Sequence, residues 1–173
     1  QSEHDEMSQS ILVSNSYDLI NKVQYYLNKQ IKFLPKKKIA SISLSKFGLA
    51  ILVRNLREVS ETINMIAPEH LQIYTKKPEK YLKSVDNAGS IFLGPYSPEA
   101  VGDYLAGPNH VLPTSGTAKF SSGLSVIDFL KRQSVIKISK RGIEKLGPSV
   151  VTLSKYEKLH GHANSVKFRI KER

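Results

Sequence analysis

Short, β-branched apolar runs alternate along this chain with amphipathic stretches that prolines cut off, and no other feature constrains its folding more. Residues 10–14, SILVS, read as a short strand. Residues 15–34 carry Leu19, Ile20, Val23, Tyr26, Leu27, Ile31 and Leu34 at helical spacing, opened by Asn15 or Ser16 as N-cap and stopped by Pro35. Residues 39–44 and 48–53 are both apolar and β-branched; the second, bounded by a glycine and a charged turn, is a strand, and the first is a strand candidate. Residues 56–66 place Leu56, Val59, Ile63 and Ile66 on one stripe and halt before Pro68. A strand at 71–74, a helix at 78–85 and a strand at 90–93 complete the series; further on, residues 134–139 alternate as an exposed-edge strand and residues 149–171 read as helices broken near Gly161. Strand and helix alternating at this spacing predict an α/β fold, with a mainly parallel sheet and helices on its faces.

In open α/β sheets, chemistry gathers outside the carboxyl ends of the strands. Residues 87–125 lie there, too polar and turn-rich for core, with Asp103 and His110 set among Gly102, Gly107, Pro108 and Pro113. An ordinary long surface loop fits that composition as well as a functional one. Glu69 and His70 follow a proline-terminated helix, and a carboxylate beside an imidazole is either an acid–base pair or a structural one. Gln1 and His4, at i and i+3, lie on one face of a helical turn and can both ligate a metal, or belong to a frayed terminus.

The chain has no cysteine, so a bound metal must take His, Asp, Glu or amide oxygen donors, and a reducing cytoplasm is compatible. No apolar run approaches the roughly 18 residues of a membrane span, and no signal peptide is visible. The net charge of +11 and pI near 9.7 raise the question of nucleic acid. The surplus is dispersed lysine with one run at Lys36–Lys38, few arginines and no recognition-helix or RNA-binding aromatic pattern, which favours a solvated basic surface.

The stretch GPYSPEAVGDYLAGPNHVLPTSGTAKFSSGLSV, together with APEHL at 67–71, QSEH at 1–4 and EKLHGH at 157–162, resembles the signature of the histidinol dehydrogenase family. The resemblance covers essentially the whole chain but only the C-terminal part of the longer family protein. It implies zinc- and NAD-dependent oxidation of L-histidinol to L-histidine via histidinal, in the cytoplasm. It also implies part of an incomplete Rossmann-like parallel-sheet domain (1–124), followed by a small, mainly helical C-terminal arm (125–173).

Carried over by position, Gln1, His4, Asp103 and His162 match the zinc ligands, and Glu69 and His70 the catalytic pair. His110 and Glu157 match substrate-binding residues, alongside Gln1, His4, His70, Asp103 and His162. Lys158 and His160 depart from the motif, and His160 is either a competing ligand or, as favoured, simply exposed. The family's NAD-binding region lies N-terminal to Gln1, and no GxGxxG follows a strand in this sequence, so no cofactor-binding residue is assigned. The family arm crosses to the partner subunit of a homodimer, which fits a basic, apolar-poor segment unable to bury a core of its own. Two other readings stay open: a redox-inactive zinc- or imidazole-binding remnant, and a basic nucleic-acid-binding module.

Overall fold

Strands separated by helical segments pair in parallel only through a crossover, and the first half of the chain makes two such units. The computed structural model describes residues 1–171. In the first unit β1 (Ile11–Ser14) lies parallel to β2 (Leu49–Leu52), Ile11 opposite Leu49 and Ser14 opposite Leu52. Their crossover consists of α1 (Tyr17–Gln30), a 3₁₀ turn (Ile31–Phe33) and α2 (Lys37–Phe47). In the second, α3 (Leu56–Ile66) leads to β3 (His70–Ile73), and a 3₁₀ segment (Pro78–Ser84) connects β3 to its parallel neighbour β4 (Ser90–Leu93). The strands thus form an α/β architecture as two two-stranded parallel sheets rather than one continuous sheet.

Local chemistry explains most boundaries. Ser16 caps α1 by accepting from Leu19 N–H (3.2 Å), worth about 1 kcal/mol. Asn55 caps α3 by accepting from Glu58 N–H (3.0 Å), while Glu58 reaches back to Arg54 N–H (2.8 Å). The core is small: Ala40, Val53, Ile63, Ala67 and Ile73 are buried in this part of the chain, with Ser43 and Ser60 among them.

Four expectations need correcting. Residues 39–44 are helical, inside α2: the helix places Ala40 and Ser43 together on its buried face, and the Ser43 hydroxyl is satisfied by donating to Ser8 C=O (2.7 Å). A strand there would have left the crossover without its return helix. The expected helix at 78–85 is a 3₁₀ segment. Residues 134–139, which alternate like an edge strand, take no regular structure, since an alternating segment becomes a strand only where another offers it hydrogen bonds. The helices expected within 149–171 begin earlier, as α5 (Lys140–Tyr156) and α6 (His160–Lys171), and the break falls at residues 157–159, where Lys158 takes a φ of 62°.

The chain divides into two compact units, Gln1–Asp128 and a second beginning at Phe129. In the second, α5 and α6 pack through small buried residues, Gly147, Ser154 and Ala163, which let the helices approach closely.

Candidate functional site

Side chains alternate across β3, so His70 and Gln72 share one face while Leu71 and Ile73 share the other. Ile73 is buried in the core, and His70 therefore stands on the opposite face, its side chain 16% exposed. The chain reaches that face through a strained turn. α3 ends on Ala67, buried and left-handed at φ 49°, a conformation costing a non-glycine residue about 1 to 3 kcal/mol. Pro68 and Glu69 follow, and their carbonyls accept from Gly89 N–H (2.9 Å) and Ser90 N–H (2.8 Å) at the start of β4. Gly89 must be glycine, because a Cβ there would lie 2.5 Å from the Glu69 carbonyl oxygen. Asn64, near the end of α3, fastens the turn that leads into β4, donating to Ser84 C=O (2.9 Å) and accepting from the N–H groups of Asp86 (2.8 Å) and Asn87 (3.1 Å).

Across from His70 lies a short helix, α4 (Glu99–Tyr104), on which Glu99 and Asp103 are i and i+4 and so face the same way. His70 Nε2 is 3.6 Å from Asp103 Oδ1 and 3.8 Å from Glu99 Oε1, just beyond hydrogen-bond reach. Among the described residues, neither buried His70 nitrogen has a hydrogen-bond partner. Burial, then the neighbouring Asp103 carboxylate, holds the Glu99 carboxyl above its usual range, with His70 acting in the opposite direction.

A buried imidazole flanked by two carboxylates is a donor set that fits a divalent cation, and an arrangement that can also share a proton. Among the described residues, these three alone bring metal-ligating His, Asp or Glu atoms within 4.8 Å of one another.

Asp103 and His110 line one cleft of about 510 Å³ between β4, α4 and the following loop. Gln1 and His4 lie exposed on an N-terminal turn closed by His4 N–H donating to Gln1 C=O (3.1 Å). Ser2 and Ser10 hydroxyls, 2.8 Å apart, tie that turn to the start of β1. Glu157 and His162 belong to the second unit, on either side of the turn between α5 and α6, and both are exposed, as is His160. Glu99 is the site residue that sequence reasoning missed. Its signal was present as the four-residue spacing from Asp103, which only a helix over PEAVGDY turns into a shared face.

Parallel β-crossover units that bring a buried histidine against two carboxylates define an α/β protein with a site suited to proton transfer or cation binding. The family model described as histidinol dehydrogenase matches residues 1–170, and the chain belongs to that family. Curated relatives named histidinol dehydrogenase include one from Clostridium acetobutylicum, 50% identical over 171 residues, covering 99% of this chain and 40% of the relative. Another, from Caldanaerobacter subterraneus, is 49% identical over 169 residues, covering 98% and 39%. The crystal structure of histidinol dehydrogenase from Elizabethkingia anophelis superposes with a TM-score of 0.85 at 35% identity, over 98% of this chain and 39% of that one. The chain spans about two fifths of the length of the curated relatives it matches.

Proposed function

We propose that the chain is the C-terminal part of a cytoplasmic, zinc-dependent, NAD-linked enzyme that oxidises L-histidinol to L-histidine via histidinal. The observation that carries this reading is the His70–Glu99–Asp103 cluster, immediately after Glu69, in a chain of this family. His70 takes the proton of the substrate hydroxyl, a role suited to a buried imidazole whose ring nitrogens have no hydrogen-bond partner among the described residues. Glu69 activates the water needed for the second oxidation. Gln1, His4, Asp103 and His162 would hold the zinc, and when bound it supplies a Lewis acid that orients the substrate and favours its deprotonated form. His110 and Glu157 contact the substrate. No GxGxxG follows a strand in this sequence, so the contacts to NAD are assigned to the portion of the relatives that the chain does not span.

The division into a catalytic domain of residues 1–124 and an arm of residues 125–173 belongs to the same proposal. The arm exchanges between two copies in a homodimer, delivering Glu157 and His162 to the partner's site. Nothing in the dispersed lysine surface requires nucleic acid.

The test is NADH formation from L-histidinol and NAD, by the chain alone and after mixing with the remaining N-terminal portion of the Clostridium acetobutylicum relative. Without a positioned nicotinamide the reaction forfeits an effective molarity worth about 7 to 11 kcal/mol, so turnover should be undetectable alone and appear on mixing. Zinc retention with no turnover in either case would sink the oxidoreductase reading and leave the redox-inactive zinc- or imidazole-binding one.

A further inference from the structure

His70 touches more than carboxylates. On the same face of the β3–β4 pair, two positions along, Phe92 packs beside it with ring centroids 6.1 Å apart and planes tilted by 40°. The edge of the Phe92 ring meets α4 at Gly102, the residue just before Asp103. A Cβ built on Gly102 would overlap that ring, 2.7 Å from Cζ and closer still to Cε1. The helix therefore meets the edge of the aromatic ring at the one point where it carries no side chain.

α4 has little else to locate it. It is six residues long and has no side-chain N-cap, and the hydrogen bonds at its ends, Val101 N–H to Pro98 C=O and Leu105 N–H to Val101 C=O, stay within its own turns. Its height above β4 is thus set where Gly102 meets Phe92, and that height fixes how far Glu99 and Asp103 stand from His70. These separations, 3.8 and 3.6 Å, lie at the edge of direct interaction. Restoring ordinary contact around an added methyl needs a movement of about 1 Å, a displacement that can cost a site about a hundredfold in rate.

The geometry points to Gly102 and Phe92 as positioning residues: a glycine packed against the edge of an aromatic ring sets the distance between the imidazole and its two carboxylates. Neither touches the reacting atoms. Both act through His70, Glu99 and Asp103. The inference rests on the proposed function only for its activity readout.

Three variants of the chain test it: Gly102→Ala, Phe92→Leu, and the two combined. The first readout is the His70 ring carbon-bound proton resonance, assigned by its loss in His70→Gln, which needs neither metal nor turnover. Gly102→Ala should displace that resonance from its wild-type position, whereas in the Phe92→Leu background the same substitution should leave it nearly unmoved. The second is zinc affinity, expected to fall about tenfold or more in Gly102→Ala and to return to within about threefold of wild type in the double variant. In the complemented enzyme, kcat should fall about a hundredfold with a smaller change in KM, and the double variant should regain most of it.

Should Gly102→Ala fail to fold, the Phe92→Leu and double variants decide, since only the proposed contact makes them equivalent. A Gly102→Ala chain with wild-type His70 resonance and zinc affinity overturns the inference, as does a double variant whose His70 resonance is displaced from that of Phe92→Leu as far as Gly102→Ala displaces it from wild type. A wild-type chain that neither binds zinc nor turns over with its complement overturns the proposed function instead, while the resonance still tests the contact.

Discussion

The two parallel strand pairs of the first unit are built alike and finished differently. Around β3 and β4, the polar face carries His70 and Phe92 under α4, and the turns leading into the strands are fastened by Asn64 and the Glu69 carbonyl. Around β1 and β2, apolar groups face outward: Leu49 and Leu52 are each 54% exposed, and α1 has no buried residue although Tyr17, Leu19, Tyr25 and Tyr26 lie along it. One pair devotes its accessible surface to chemistry and holds it with specific polar bonds. The other presents hydrophobic area that contributes nothing to stability until something covers it. Similar backbone topology therefore says little about role; the side chains on the face opposite the core decide it.

The largest test of this contrast removes the imidazole. His70→Gln in the complemented enzyme should lower kcat by about 10² to 10⁴, the usual worth of a positioned acid–base group, while thermal unfolding of the chain hardly changes because both ring nitrogens already lack partners. A loss of stability in step with activity would break the contrast.

Next in size is a comparison of burial. Ile63→Ala, in the core of α3, should cost about 2 to 5 kcal/mol in denaturant unfolding. Leu49→Ser with Leu52→Ser should stay within about 0.5 kcal/mol in the same assay and reduce binding of a hydrophobic dye. Equal costs would mean that the two faces of β2, on which Leu49 and Leu52 lie, are already covered in solution.

Smaller again is Asp103→Asn, expected to weaken zinc binding in equilibrium dialysis by at least about tenfold without altering the fold. Unchanged affinity would remove Asp103 from the ligand set.

The smallest effect concerns Glu99. Its carboxyl is held above the usual range by burial and by Asp103, so the folded state keeps a proton that the unfolded state releases. Stability from that proton is fully present below the unfolded value and is lost as pH rises through the folded one. Glu99→Gln should therefore match wild type in acid and become slightly more stable as pH climbs above the ordinary glutamate value of 4.5. Melting curves across that range check it, and an advantage that instead grows toward acid would reverse the assignment.

Much of this was legible in the residues. Periodicity placed α1, α3, β2 and β4, because caps, prolines and apolar stripes act locally. Asp103, Glu69 and His70 stood out through the family motifs that contain them, since composition and adjacency fitted an ordinary loop and a structural pair as well. Residues 39–44 read as a strand candidate and fold as a helix because β-branched residues fit both, and only the crossover between β1 and β2 chose between them.

By itself the sequence determined the α/β class and the types of donor available, consequences of local pattern and side-chain chemistry, and its motifs carried the resemblance to the family. The tertiary structure alone decided that Glu99 joins His70 and Asp103, that Gly102 rests on Phe92, and that both His70 nitrogens are left unpaired. These are contacts between elements distant in the chain, and no local propensity encodes a distance that exists only once β3, β4 and α4 are packed.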